Sequence, residues 1–216
     1  MRRTDTCKDI EIVVKDSLDK HFVTESDLTA ILKQESLFPV KKPMSEINTE
    51  KIENTLLKNE MIARIEAYKT PSGIIKLEVE QKMPILRVIS TRGNFYVDNK
   101  GTLMPVSNRY VAHVPLASGH IEKDLAVTEL YNFALFLQKE KFWDAHIDQI
   151  YIHSDGEVEL IPRVGNFKVI LGSFDGYREK LDNLKLFYDK VIPKMGWEKY
   201  SIINLKYKNQ IVCTKR

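Results

Sequence analysis

Ile75-Lys76-Leu77-Glu78-Val79-Glu80-Gln81-Lys82-Met83-Pro84 is the stretch on which the fold turns. Ile75, Leu77 and Val79 alternate with Lys76, Glu78 and Glu80, the two-residue period of a strand with one face buried and one wet. Pro84, which brings no amide donor, punctuates it, and beyond Pro84 the pattern changes. Just upstream, Thr70-Pro71-Ser72-Gly73 is a turn cluster, and Ile62 and Ile65 mark a strand leading into it. Before that strand, Asn48 is placed to cap a helix, Ile47 and Ile52 to staple its entry, and Ile52 and Leu56 to stack at i,i+4. Pro39 to Pro43 must be loop. Thr24-Glu25-Ser26-Asp27 is a capping box, followed by Leu28, Ile31 and Leu32 on one helical face. Asp9-Ile10-Glu11-Ile12-Val13-Val14 reads as the first strand. The order is β-α-α-β-β. One three-stranded sheet covered by two helices buries all these apolar faces at once.

After Pro84 the elements are short. Phe95-Tyr96-Val97 runs into the turn Asp98-Asn99-Lys100-Gly101, and Leu103-Met104-Pro105-Val106 returns as the second arm of a hairpin. Ala112 to Leu116 is a further candidate strand. Asp124 is placed to cap a helix carrying Leu130, Phe133, Ala134 and Leu137. Gln149 to His153, the turn Ser154-Asp155-Gly156, and Val158 to Ile161 form the clearest hairpin, which Phe167 to Leu171 extends. Tyr177, Leu181, Leu184, Tyr188 and Val191 define a long helix that Pro193 and Gly196 stop. The chain closes with an extended segment, Tyr200 to Thr214. These features predict an α+β protein of two domains. Residues 1–82 form the β-α-α-β-β unit, and residues 83–216 form a mixed, mostly antiparallel β domain with two helices.

Composition narrows the function. The 216 residues are 43% hydrophobic and 29% charged, enough to bury a core and too apolar for a disordered chain. Thirty-three basic against 30 acidic residues is too balanced for the concentrated basic face of a nucleic-acid binder. No apolar run approaches the ~18 residues of a membrane span, and nothing reads as a signal peptide. Residues 1–82 carry 14 basic and 15 acidic side chains, and 83–216 carry 19 and 15. Residues 194–216 hold six basic residues and one acidic, the only asymmetry of use. Cys7 and Cys213 could bridge, although isolated cysteines are more often free thiols.

Catalytic signatures are missing from the sequence. It has no phosphate-binding or dinucleotide-binding glycine loop, no nucleophile elbow, no H-E-x-x-H and no C-x-x-C. Asp144, His146 and Asp148 would share a face if they lay in a strand, but a polar loop entering a strand explains them as well. His113 and His120 flank a turn and read as surface or core-edge residues. Asp98 and Asp155 sit in turns where a carboxylate organises backbone. A hydrolase built on paired carboxylates therefore has candidates but no constellation.

Residues 79–85, Val-Glu-Gln-Lys-Met-Pro-Ile, and then Tyr96, Asp98, Gly101 and Pro105 carry a resemblance. This sequence resembles the FtsQ/DivIB family of bacterial cell-division proteins, which joins a POTRA domain to a β domain. That family has an E-[RK]-x-P-like junction followed by Y-x-D-x-x-G and a nearby proline; Glu80 and Pro84 fit the first with one extra residue between them. The β-α-α-β-β order is similar to a POTRA domain, with Phe22-Val23-Thr24 to Asp27-Leu28 at its helix start. Tyr200-Ser201-Ile202-Ile203-Asn204-Leu205-Lys206-Tyr207 resembles the family's final strand, and Lys208 to Cys213 is most similar to members from the Bacteroides group. Two features depart from the family. Its cytoplasmic tail and single membrane helix have no counterpart here, so an anchor upstream of Arg2 is an expectation. Asp16-Ser17-Leu18-Asp19 stands where the family commonly has a glycine.

The resemblance implies a non-enzymatic scaffold on the periplasmic side of the inner membrane, recruiting FtsB/FtsL-type partners (DivIC and FtsL in some lineages) to the septum. It implies no cofactor, metal, nucleic acid or small-molecule substrate. A terminal extended segment usually borders a sheet, where unpaired amides and carbonyls template a foreign strand. On that basis Ile202, Ile203, Asn204, Leu205, Lys206, Tyr207 and Lys208 are the expected partner-binding residues. Ile203, Leu205 and Tyr207 would fix register against the sheet; Asn204, Lys206 and Lys208 would face solvent or a partner carrying carboxylates. Lysines that merely protect an exposed edge from aggregation explain the same pattern. The helix around 177–192 would flank this surface, and the POTRA-like unit offers a second place for an edge contact. A POTRA-containing component of protein transport or outer-membrane assembly is the alternative reading.

Overall fold

In the computed structural model of this chain, residues 6–15 and 22–216 are described. Asp16-Ser17-Leu18-Asp19 and Arg2 lie outside them. The chain groups into two units, one of residues 1–83 with 104–112 and one of residues 84–103 with 113–216.

The first unit contains β1 (Asp9–Lys15), α1 (Glu25–Gln34), α2 (Thr49–Leu56), β2 (Ile62–Lys69) and β3 (Ile74–Gln81). Its sheet order is β1-β3-β2, with β1 parallel and β2 antiparallel to the central strand. Local chemistry starts both helices. Thr24 Oγ1 accepts the Asp27 amide while Asp27 accepts the Thr24 amide, and Asn48 Oδ1 accepts the Lys51 amide at 2.9 Å. Leu28, Leu32, Ile52 and Leu56 from the helices and Ile75, Leu77 and Val79 of β3 are all at most 1% exposed. Each such side chain contributes about 1.5–3 kcal/mol by leaving water. The other sheet face is wet and laced with charge: Lys15 pairs with Glu78 at 2.7 Å and Lys76 with Glu11 at 3.3 Å. The turn at 70–73 closes with the Gly73 amide on the Thr70 carbonyl.

The nine-stranded sheet domain follows Met83. Its elements are β4 (Pro84–Ser90), β5 (Gly93–Asp98), β6 (Leu103–Pro105), β7 (Leu116–Gly119), α3 (Lys123–Val127), α4 (Glu129–Lys139), α5 (Lys141–His146), β8 (Ile147–Ile152), β9 (Val158–Pro162), β10 (Lys168–Gly172), α6 (Tyr177–Lys190), α7 (Ile192–Met195), a 3-10 turn at Trp197–Lys199, β11 (Tyr200–Asn204) and β12 (Val212–Lys215). The sheet order is β12-β11-β10-β9-β8-β7-β4-β5-β6. Parallel pairs (β4–β7, β7–β8, β10–β11) are set among antiparallel hairpins. Leu130, Phe133, Ala134 and Leu137 of α4, with Leu181, Leu184 and Tyr188 of α6, pack on Val88, Ile150, Leu160, Val169 and Ile203 from the sheet.

Several expectations shift. A strand at Ala112 to Leu116 forms four residues later, as β7, because Pro115 lacks the amide that a ladder needs. The expected helix after Asp124 is two helices. Glu122 holds the N-cap position, Asp124 lies inside the first turn, and the chain breaks at Thr128 (φ −117°, ψ −99°). Pro193 does not end the helical region but starts α7, where its missing amide costs nothing. Pro84 opens a strand, β4, that the sequence pattern did not announce. The segment 200–214 is a hairpin rather than one extended strand.

Candidate functional site

The predicted partner-binding residues lie around β11. Its neighbours are β10, parallel, pairing Lys168 with Ile202 and Val169 with Ile203, and β12, antiparallel, pairing Ile203 with Cys213 and Asn204 with Val212. The sheet rim expected along 201–207 is therefore absent: β11 is an interior strand, and the rim belongs to β12. The reason is a reversal at Tyr207 to Gln210, where the Gln210 amide reaches the Tyr207 carbonyl and Asn209 takes a left-handed backbone (φ 61°). Asparagine tolerates that conformation, and an asparagine without a following glycine was the one signal available in the sequence.

The individual residues divide by role. Ile203 is fully buried and Leu205 is 3% exposed. The Leu205 amide donates to the Ile170 carbonyl at 2.9 Å, extending the ladder past β11. Ile202 and Asn204 are half-buried on the opposite sheet face. Asn204 Oδ1 accepts the Lys206 amide at 2.9 Å. Lys206 already has a partner within the chain: its ammonium bonds Glu157 at 2.5 Å, and that hydrogen bond raises its pKa above the ordinary lysine value. Tyr207 is half-exposed instead of packed on the sheet, and Lys208 is exposed.

The rim itself is open. Val212, Thr214 and Lys215 are exposed, while Cys213 is half-buried against the core. Desolvation raises the Cys213 thiol pKa, and both cysteines are free. Beside the rim, a cavity of about 270 Å³ opens between the start of α6 (Gly176, Glu179) and the reversal (Tyr207, Asn209, Ile211). Arg216 pairs with Glu198, whereas Lys208 and Lys215 meet no carboxylate among the described residues.

The other candidates have structural employment. Asp98 is 1% exposed and accepts the Lys100 amide, the Thr102 amide and the Thr102 hydroxyl at 2.7–3.0 Å, which closes its turn. Asp155 accepts the Glu157 amide. Asp144 and His146 are on α5 and only Asp148 is on β8, so the shared strand face does not form. His146 stacks on Phe142, and Asp148 pairs with Arg163. His120 lies 3.9 Å from Glu122. No cluster of three metal-ligating side chains occurs among the described residues, and none of their helices is long and apolar enough to cross a membrane.

A POTRA-like unit is followed by a sheet domain whose last strand in sequence is open on one side. Residues 83–214 match the family model described as FtsQ/DivIB, C-terminal related, and residues 5–80 match that of the POTRA-like domain. No curated protein matches the chain. The chain belongs to the FtsQ/DivIB family, a family of non-enzymatic scaffolds of cell division.

Proposed function

We propose that this protein recruits FtsB/DivIC-like and FtsL-like partners to the division septum by accepting a partner strand along β12. The carrying observation is the position of β12, last in the nine-stranded sheet and bonded on one side only, to β11. An added strand would find backbone groups for affinity, with Val212 and Thr214 reading its side chains. Lys208 and Lys215 favour a partner carrying carboxylates, and Tyr207 adds an exposed ring beside the rim. Ile203 and Leu205 serve this surface from below by fixing the register of the hairpin. Ile202 and Asn204 belong to the strand that supports the rim.

The protein acts on the periplasmic side of the inner membrane, held there by a membrane segment outside this sequence. It uses no cofactor and transforms no small molecule. The test is affinity for the periplasmic part of an FtsB/DivIC-like partner. Val212→Asp, at a residue 44% exposed, should leave the fold intact and weaken binding about tenfold or more. Unchanged affinity removes β12 from the interface.

A further inference from the structure

The three-stranded sheet of the first unit has a second rim of interest, the outer side of β2. The Thr70 amide bonds the Ile74 carbonyl, so residues of even number on β2 turn their amides toward β3. Ile65, Ala67 and Lys69 therefore turn theirs outward. One of these outward amides is already taken. The Ala67 amide donates to Glu53 Oε1 at 2.7 Å, from a side chain on α2. Ile52 and Leu56 hold α2 on the core, and Glu53 between them is half-buried and reaches the rim. A strand adding to β2 must displace this carboxylate and leave it without its donor, a costly exchange.

The strand behind Glu53 is suited to pair with itself. Place two copies of β2 antiparallel with Ile65 on the two-fold axis. Arg64 of each copy then faces Glu66 of the other. Arg64 and Glu66 are both exposed, and they already pair within one chain. The Ala67 amide, two residues from the axis, belongs to the ladder that such a pairing needs.

We propose that Glu53 guards the rim of β2 and keeps off a second copy of this chain, which the charge pattern of the strand would otherwise accept. The structure thus gives the first unit a self-pairing strand closed by one side chain.

Sedimentation of the full chain over a range of concentrations tests this. Glu53→Ala should associate into dimers about tenfold or more tightly than the unsubstituted chain. Adding Glu66→Lys, which sets like charges across the axis, should return it to the monomer. A Glu53→Ala chain that stays as monomeric as the unsubstituted one overturns the proposal, as does a dimer indifferent to Glu66→Lys. Should Glu53→Ala fail to fold, amide exchange in the unsubstituted chain decides. The Ala67 amide should be protected, and exchange at the rate of an open amide overturns the guard.

Discussion

Lys206 lies across Gly172, its stem over the glycine and its ammonium 2.5 Å from the Glu157 carboxylate. A Cβ built on Gly172 would sit 2.7 Å from Lys206 Cγ, and the glycine holds φ +82°. The lysine thus pins the start of the β11–β12 connection onto the end of β10, and the position of the rim depends on it.

Gly172→Ala should therefore be destabilising by about 1–3 kcal/mol, from left-handed backbone strain and from displacing Lys206. A denaturant titration reads the loss as a lower midpoint with unchanged slope. A midpoint equal to that of the parent chain would mean the lysine stem moves aside freely.

The first unit carries a pH-sensitive pair. Arg109 Nη1 bonds both oxygens of Asp27 at 2.8 and 2.6 Å, and that hydrogen bond, ahead of the Thr24 contacts, holds the Asp27 pKa below the ordinary aspartate value. A carboxylate depressed on folding contributes stability that is present above its unfolded pKa and lost as pH falls through the folded one. Arg109→Ala should thus cost little at low pH and its full amount at neutral pH. That amount stays small, because the arginine is largely exposed and solvent screens the pair. Thermal melts from pH 2 to 7 should show the two proteins converging in acid. A gap that widens in acid would contradict the assignment.

Tyr188 presents the opposite case. Its ring packs edge-on to Trp197 at 5.0 Å and near Phe167 and Trp143, but its hydroxyl is buried without a partner among the described residues. Burial drives its pKa upward, well beyond the ordinary tyrosine range. Tyr188→Phe keeps the ring and removes the unpaired group, so stability should hold or rise by about 0–1 kcal/mol, since an unmade buried hydrogen bond is the costly form. A loss above that range, read from urea midpoints, would reveal a partner for the hydroxyl.

The parts of this fold that were legible in sequence are those decided by neighbours in the chain. Thr24 and Asp27, Asn48, and the Asp98 turn form bonds within four residues and appear as read. The alternation of β3 reports burial on one face, and the structure repeats it position by position. What failed depended on distant partners or quiet breaks. Thr128 interrupts a continuous apolar stripe without proline or glycine, and Asn209 reverses the chain on a single left-handed residue. That reversal is why the expected edge at 201–207 became an interior strand. The outer pairing of β11 is set by the residues after the turn, and no periodicity in 200–208 encodes it. The open rim thus lies on the other arm of the hairpin in which the sequence reading placed it.

Hydrogen exchange of the β11–β12 hairpin, with and without the periplasmic part of an FtsB/DivIC-like partner, tests the central claim most directly. Strand addition predicts that amides within 212–215 gain protection on binding while those of 201–204, paired on both sides already, change little. Partner-bound protein in which 212–215 exchange as fast as before, with protection appearing elsewhere, would contradict it.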